Sequence, residues 1–331
     1  MKPDFIVKAG EKDLTAEFKK RLVSLAVVDA DGLTADSLTI TLDNSDHGLA
    51  FPDTGTDLQC WLGYEGALNY MGQYSVDNIE LPLELDLLSI TATGARFRSS
   101  YRQKRDGGFS DTNVKAIIET VAHRNGFEPS VADAVADLTV GHFQQKNMSD
   151  SALMVELKKQ FGVMVKPVGD RLVAVPDGEG KTVSGKTLPV VEVALSDIAA
   201  GSVNLTGRNQ YTAVSAKYQD FDKASTNIIT EGDSSKKVKV LSKLFANEEE
   251  ARGAVKAKLA QITRKHFVLK VARMAGNTNV RVKRVVAFKG HYSDKVNGEW
   301  DIDSARHTLN SQGLITVWSG KAPKKRPSHY L

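Results

Sequence analysis

Two stretches decide the fold, Gly72-Gln73-Tyr74-Ser75-Val76-Asp77 and Gly298-Glu299-Trp300-Asp301-Ile302-Asp303, because both follow the pattern Gly-x-aromatic-x-(Val/Ile)-Asp. We call this pattern the repeated motif. Each copy is preceded, across a gap of seven or eight residues, by an apolar residue and a glycine, and each is followed by an apolar run. These flanking segments are 61–64 and 88–94 in the first copy, and 288–291 and 314–320 in the second. Because the same features recur in the same order, the sequence predicts two related β-barrels.

Side-chain alternation gives the repeated motif one buried face. Successive side chains of a strand point to opposite faces, so the aromatic and the branched residue of each copy share a face. We expect that face to lie in the barrel core, and the final aspartate of each copy to lie on the other face near a strand end. The candidate structural residues are therefore Tyr74, Val76, Trp300 and Ile302.

Alternation with a period of two continues on both sides of the motif. Residues 37–43 place Leu38, Ile40 and Leu42 on one face and hydroxyl side chains on the other, which is typical of a half-buried strand. Further strands are predicted at 22–29, 58–64, 70–79 and 87–93, and later in the chain at 211–219, 265–271, 280–289, 300–304 and 314–318.

Three segments have the period of amphipathic helices. Residues 111–125 have apolar side chains at helical spacing and end before Gly126. Residues 149–161 begin at Ser149, a good N-cap, and end before Gly162. A third helix is predicted from Asn247 to Ile262, where three glutamates suit the positive end of the helix dipole. Residues 163–166 and 171–175 are predicted to pair as a hairpin.

These elements predict a mainly β protein with an α+β insertion. The expected division is a first β-barrel at 1–106, an inserted α+β domain at 107–178, a connector at 179–189, a second β-barrel with one helix at 190–320, and a basic tail at 321–331.

Composition excludes several classes of protein. Of the 331 residues, 41% are hydrophobic and 25% are charged, which is typical of a folded protein. The net charge of +4 gives no field over the whole molecule that would attract nucleic acid or an anionic membrane. Cys60 is the single cysteine, which excludes an intrachain disulfide. We expect no cleaved secretory signal, because residues 1–13 lack an apolar run, and no membrane span, because no apolar stretch reaches about 18 residues.

No constellation of side chains predicts catalysis. Residues 180–187 match the phosphate-binding pattern GxxxxGK[ST], but Pro189 and an alternating strand follow where a helix is needed, so a connector is favoured over a nucleotide site. The seven histidines show no HExxH spacing, and His307 is expected to be a hydrogen-bonded structural residue. No G-x-S-x-G elbow is present. We therefore expect no catalytic, cofactor-binding or metal-binding residues.

Two basic stretches keep nucleic-acid binding open as an alternative. Residues 96–105 interleave arginine and lysine with Phe97 and Tyr101, and residues 321–326 crowd four basic side chains near the end. The first is also explained as a solvated loop, and the second as a short tail.

Several segments taken together resemble the late control protein D family, the tail or baseplate hub proteins of contractile-tailed phages. The residues that carry the resemblance are 37–43 with Gly55, 62–64, 71–77, 142–145 with Asn147, Ser149, Asp150 and Leu153, 171–172, 211–218, 247–251, and 298–300 with His307, Leu309 and Gly313. Members of this family are similar to the hub part of type VI secretion spike proteins.

The resemblance implies a trimer with two related barrels per chain, which would form a pseudo-sixfold ring between a sixfold tail tube and a threefold spike. Its expected partners are the tail tube protein and the central spike protein, with the tape-measure and baseplate wedge proteins as further candidates, and DNA would only pass through the channel.

The expected location is the tail of a virion or tail-like particle, after synthesis in the host cytoplasm. Since no β-helix or hydrolase region is recognised, the spike and any cell-wall enzyme are expected to be separate proteins. A nucleic-acid-binding late-gene regulator and a hydrolytic tail enzyme remain as alternatives.

Overall fold

The fold is described by a computed structural model of residues 1–30, 36–94, 99–205, 211–220, 224–265, 267–294 and 296–322. It is mainly β, as expected. The first part of the chain contains β1 (Pro3–Ala9), β2 (Lys12–Asp13), α1 (Thr15–Arg21), β3 (Leu22–Ala30), β4 (Ser37–Asp43), β5 (Asp57–Tyr64), β6 (Ala67–Glu80) and β7 (Leu87–Gly94). These strands pair in the spatial order β1-β5-β6-β7-β4-β3, and all of these pairs are antiparallel.

The next part of the chain is an α+β unit with a core of its own, which includes Ile117, Leu153 and Leu172. Its elements are α2 (Ser99–Arg102), β8 (Lys104–Asn113), α3 (Val114–Arg124), β9 (Glu128–Val131), α4 (Asp133–Ala136), β10 (Thr139–Ser149), α5 (Asp150–Phe161), β11 (Val163–Val168) and β12 (Arg171–Pro176). Helix α5 is bounded as its sequence predicts. The Ser149 hydroxyl accepts the N–H of Ala152 at 3.2 Å, and Gly162 follows the helix in the left-handed conformation with φ 66°.

The rest of the chain returns to β structure around one long helix. Its elements are β13 (Val191–Ala194), a short 3-10 turn (Leu195–Asp197), β14 (Ile198–Leu205), β15 (Ala213–Asp220), β16 (Ser225–Gly232), β17 (Val238–Phe245), α6 (Glu248–Lys265), β18 (Phe267–Ala275), β19 (Val285–Lys289), β20 (Gly298–Asn310) and β21 (Gly313–Lys321). Six of these strands pair in the order β13-β19-β20-β21-β18-β14 around a core that contains both Trp300 and Trp318.

Strands β15 to β17 form a separate three-stranded sheet whose core is completed by α6. Ala251 and Val255 of the helix pack with Val214 and Phe245 of the sheet. The Glu250 carboxylate, buried at the start of α6, accepts the N–H of Gly141 in β10 at 2.7 Å. Residues 213–265 are thus a second insertion that packs on the α+β unit, a feature that the expected division at 190–320 does not separate from the barrel.

The two six-stranded groups join into one sheet where β3 pairs with β20. This antiparallel pairing runs from Ala30 opposite Ser304 to Ser24 opposite Asn310. Two side chains from the end of the β20–β21 hairpin, Leu309 and Leu314, belong to the core of the first group. The core of one group therefore includes residues from the other.

Three sequence predictions differ from the structure. The strand predicted at 280–289 begins only at Val285, because Val280 and Val282 lie in a turn and enter two different cores. The helix predicted from 111 begins at Val114, where the Asn113 side chain accepts the N–H of Ala116 at 2.9 Å, and the residues before it belong to β8. Strands β1, β2, β8, β9, β10, β14, β16 and β17 were not predicted. Strands β8, β10, β14 and β16 each contain glycine, which interrupts apolar alternation.

Candidate assembly surfaces

The structure buries all four candidate residues of the repeated motif. Tyr74 and Val76 lie in β6, and Trp300 and Ile302 lie in β20. Each aromatic ring also satisfies its polar atom locally. The Tyr74 hydroxyl donates to the carbonyl of Met71 at 3.1 Å, and Nε1 of Trp300 donates to the carbonyl of Val296 at 2.9 Å. Both rings are therefore held in their cores by a hydrogen bond to the backbone that precedes the motif.

The ends of the two motif copies are also alike. Gly72 and Gly298 have φ values of 147° and 112°, which side-chain-bearing residues rarely adopt. The register of β6 against β7 shifts between Val76 and Asn78, and that of β20 against β21 shifts between Ile302 and Ser304. Each motif aspartate thus lies at a β-bulge.

Both aspartates bond to a hydroxyl of the neighbouring strand. The Asp77 carboxylate accepts from the hydroxyl of Thr93 in β7, and the Asp303 carboxylate accepts from the hydroxyl of Ser319 in β21. Asp77 is exposed and Asp303 is half-buried. Asp301, in contrast, is buried between Trp300 and Ile302, so strict alternation does not hold in the second copy.

The two groups of strands share one order in space. In the first group the spatial order is β1, β5, β6, β7, β4 and β3. In the second group the corresponding strands are, in the same order, β13, β19, β20, β21, β18 and β14. They differ at one pair, since β1 is antiparallel to β5 whereas β13 is parallel to β19. This shared order and the matching bulges support the duplication.

One part of the predicted repeat is out of register by a residue. The sequence aligned Trp61 with Phe288, but it is Cys60 that pairs with Gly72, as Phe288 pairs with Gly298. Phe288 is buried, whereas Trp61 is half-buried and packs on Tyr70 with their ring centroids 5.0 Å apart. A slip of one residue moves a side chain to the other face of a strand, so the matching glycine downstream did not fix the register here.

The phosphate-binding pattern at 180–187 precedes a strand, and His307 lies in the core. Within the GxxxxGK[ST] match a bridge joins Lys181 and Thr187. The chain then continues into β13, as the sequence predicts. Lys186 is exposed. His307 is buried, and its Nδ1 lies 3.0 Å from the hydroxyl of Thr316. Burial, with Arg281 nearby, lowers the pKa of His307 to about 4, so the imidazole is neutral in the core.

The described residues contain neither a cluster of metal ligands nor a helix suited to a membrane. Within the residues that the structure describes, no group of three or more His, Cys, Asp or Glu side chains could hold a metal ion. No helix in that part of the chain is long and apolar enough to cross a membrane.

Some basic side chains of residues 96–105 are exposed to solvent, and one points into the protein. Arg102 and Lys104 are exposed, whereas Arg105 turns toward the buried carboxylate of Asp150, 3.7 Å from its Nε. Arg124 and Gln145 also bond to Asp150. Arg96, Arg98 and the basic residues 324–326 lie outside the described residues.

Two surface features contain exposed or half-buried apolar side chains. The loop between β6 and β7 exposes Leu81, Leu83 and Leu85, and Leu83 is fully exposed. In the second group a groove of about 530 Å³ lies beside β14, lined by Ile198, Val203, Val271, Phe288 and other residues. The outer edge of β14 has no backbone partner among the described residues. We call these features the leucine loop (residues 81–85) and the β14 groove.

Comparison with known proteins gives this architecture a context. The chain is 33% identical over 217 residues to the probable baseplate hub protein of Escherichia phage 186, and 32% identical over 217 residues to that of Escherichia phage P2. Each match covers 65% of this chain and 56% of the relative. This chain resembles phage baseplate hub proteins. The resemblance predicted from the sequence is confirmed, although the match spans little more than half the length of either relative. No family model matches the chain.

Solved structures of tail and secretion-system proteins share the fold of this chain. A tail protein of Neisseria meningitidis MC58 superimposes with a TM-score of 0.70 at 15% identity, over 97% of both chains. The 43 kDa tail protein of prophage MuSo2 from Shewanella oneidensis gives 0.67 at 17% identity, over 97% of this chain and 99% of that one. The c3393 protein of E. coli, a component of the type VI secretion system, gives 0.58 at 10% identity, over 94% of this chain and 77% of that one.

Proposed function

We propose that this chain is the structural hub of a contractile phage tail or tail-like particle, and that it adapts a sixfold tail tube to a threefold central spike. The observation that carries the proposal is the duplicated strand order, because three copies of a chain with two equivalent barrels supply six barrels. The similarity to baseplate hub proteins supports the same role.

In this proposal residues 1–106 and 190–320 supply the two barrels, apart from the segments 99–106 and 213–265, which belong to the insertions. Residues 107–178 are inserted between the barrels, residues 179–189 connect the units, and residues 321–331 form a basic tail. The partners are two further copies of the chain, the tail tube protein and the central spike protein, with the tape-measure and baseplate wedge proteins as additional contacts. The protein acts in the particle tail after synthesis in the host cytoplasm. It is not an enzyme and takes no cofactor or small-molecule substrate.

The mass of the purified chain in solution tests this proposal. Mass photometry and sedimentation across a wide concentration range should give a species three times the 36.0 kDa mass of the chain. Addition of the tube or spike protein from the same particle should shift the assembly further. A chain that stays monomeric at every concentration and with both partners contradicts the proposal.

A further inference from the structure

One junction between two barrels is already present inside the chain. Residues 304–310 of β20 pair with residues 24–30 of β3, and Leu309 of that segment is buried in the first core, opposite Leu25. The junction therefore has two parts, an antiparallel strand pair and a leucine that enters the neighbouring barrel. A duplicated chain should contain the unused counterparts of both sides.

The counterpart of β3 is β14, which occupies the same place in the shared strand order. Strand β3 uses its outer edge to bind β20, whereas the outer edge of β14 has no backbone partner among the residues described. The β14 groove lies beside this edge, and its lining contains the half-buried Ile198 and Val203 together with polar side chains such as Ser202 and Ser293. The second barrel thus has an acceptor side like that of the first, but open.

The counterpart of the β20 segment is the end of β6 with the leucine loop. Tyr74 and Trp300 lie 226 positions apart, and the same spacing places Leu83 at the position of Leu309. Leu309 is buried in a neighbouring barrel, whereas Leu83 is fully exposed, with the exposed Leu81 and Leu85 on either side. Strand β5 pairs with β6 only as far as Ser75, so the side of β6 that faces β5 is open from Asn78 to Glu80 among the described residues.

We propose that the leucine loop of one copy enters the β14 groove of a second copy of this chain, and that β14 of that copy pairs with the open side of β6. The inference rests on the proposed hub function and names the surfaces that would close its ring. The contact is heterologous, because each copy offers a loop to one neighbour and a groove to the other. The β3–β20 junction within each chain would then alternate with the β6–β14 junction between chains. Six barrels from three chains would form a closed ring.

Burial of leucine supplies the driving force for this contact. Transfer of one leucine side chain from water into an apolar groove strengthens an association by about 10-fold or more, and a charge at the same place opposes it. The strand pair would add backbone hydrogen bonds on an edge that otherwise faces water.

A charge substitution in the loop is the first test. Leu83→Asp should weaken the trimer by about 10-fold or more per junction and leave the circular dichroism spectrum and melting temperature of the monomer unchanged, because the side chain contacts solvent. Leu244→Asp is the matched control, since Leu244 is an exposed leucine on the inserted sheet. If Leu83→Asp forms the trimer as tightly as wild type, or if Leu244→Asp weakens the trimer by the same factor, the inference is wrong. Neither result contradicts the proposed hub function. A wild-type chain that never trimerises contradicts both.

Disulfide trapping tests the geometry directly. Cys60 is fully buried, so engineered cysteines should react without interference from it. Leu83→Cys combined with Ile198→Cys or Val203→Cys should give, on oxidation of the trimer, products of two and three covalently linked chains. Each single variant, and the control pair Leu83→Cys with Leu244→Cys, should give no three-chain product. If the trimer forms and neither groove pair crosslinks, the leucine loop does not occupy the β14 groove.

Discussion

At the scale of single residues, the repeated motif stabilises the fold through two buried aromatic rings, those of Tyr74 and Trp300. Truncation of a buried aromatic side chain removes its packing and leaves a cavity, at a cost of about 3–5 kcal/mol. Tyr74→Ala and Trp300→Ala should each lower the melting temperature and reduce the trimer fraction. The exposed Lys186 provides the control, since Lys186→Ala should change neither quantity. Equal melting temperatures for all three variants and the wild type would contradict a core role for the motif.

His307 should make stability depend on pH. Burial holds its pKa near 4 in the folded chain, against 6.5 when it is exposed, so between these values only the unfolded chain takes up the proton. Its contribution to the free energy of unfolding is complete above about pH 6.5 and falls by up to about 1.4 kcal/mol per pH unit as the pH drops toward 4. Melting temperatures of wild type and His307→Gln at pH 7, 6 and 5 check this. The difference between the two proteins should narrow as the pH falls, and a constant difference would assign the pH dependence to other groups.

Residue identity predicted burial better than it predicted register. The repeated motif matched Tyr74 with Trp300, and a period of two placed each ring on the same face as the branched residue of its copy. Both rings are buried. The match of Trp61 to Phe288 was wrong. The register of β5 against β6 shifts by one residue at a bulge between Cys60 and Trp61, and no feature of the sequence marks that bulge. The leucine loop carried no sequence signal, since an exposed leucine and a buried one look the same until the strands are placed.

At the scale of elements, a buried lysine joins the α+β unit to the first group of strands. Nζ of Lys166 in β11 lies 2.7 Å from Oδ1 of Asp29 and 2.8 Å from Oδ1 of Asp36, and also donates to the carbonyl of Ala30 at 3.1 Å. Burial alone would lower the pKa of Lys166, but the two carboxylates outweigh it and raise the pKa above its usual value. The contacts of Lys166 with Asp29, Ala30 and Asp36 therefore position the α+β unit against the end of β3.

Removal of this lysine should loosen the contact between the two units. Lys166→Ala leaves two carboxylates close together without their cation, a change that costs about 3–5 kcal/mol when such a pair is buried. Hydrogen exchange should become faster in β11 and at the end of β3, and slower exchange or no change there would contradict the role of the cluster. Lys159→Ala is the matched control, since Lys159 is an exposed lysine of the same inserted unit.

Elements with strong local signals were predicted from the sequence, and those defined by distant partners were not. Helix α5 has a capping serine at its start and a glycine after its end, and both were visible in the sequence. Strand β8 carries Gly107 and Gly108 and is defined by its pairing with β10, so alternation could not show it. Strand β14 is likewise exposed along most of its length, because the barrel presents it as an edge.

At the scale of the whole molecule, the order of strands explains how a duplicated chain could build a ring. The two groups of strands joined through β3 and β20 already set one angle between neighbours, and repetition of that angle between chains would need no second kind of junction. The inserted units lie together, with α6 against the α+β unit, and Lys166 attaches them to the C-terminal end of β3. We therefore expect the insertions to lie outside the ring and to leave its channel open.

A label in the inserted unit can locate it in the assembled particle. The turn at Gly169 and Asp170 is exposed, joins β11 to β12, and has Gly169 in the left-handed conformation, so a short affinity tag between these residues should leave the fold intact. Electron microscopy of tagged particles with a bound label should then show three densities around the tail axis, outside the ring, where the tube meets the spike. A tag between Ser184 and Gly185, in the exposed connector, serves as a second marker on the same chain. Density within the channel, or particles that carry the label anywhere other than the tail, would contradict both the outward position of the insertion and the hub role of the chain.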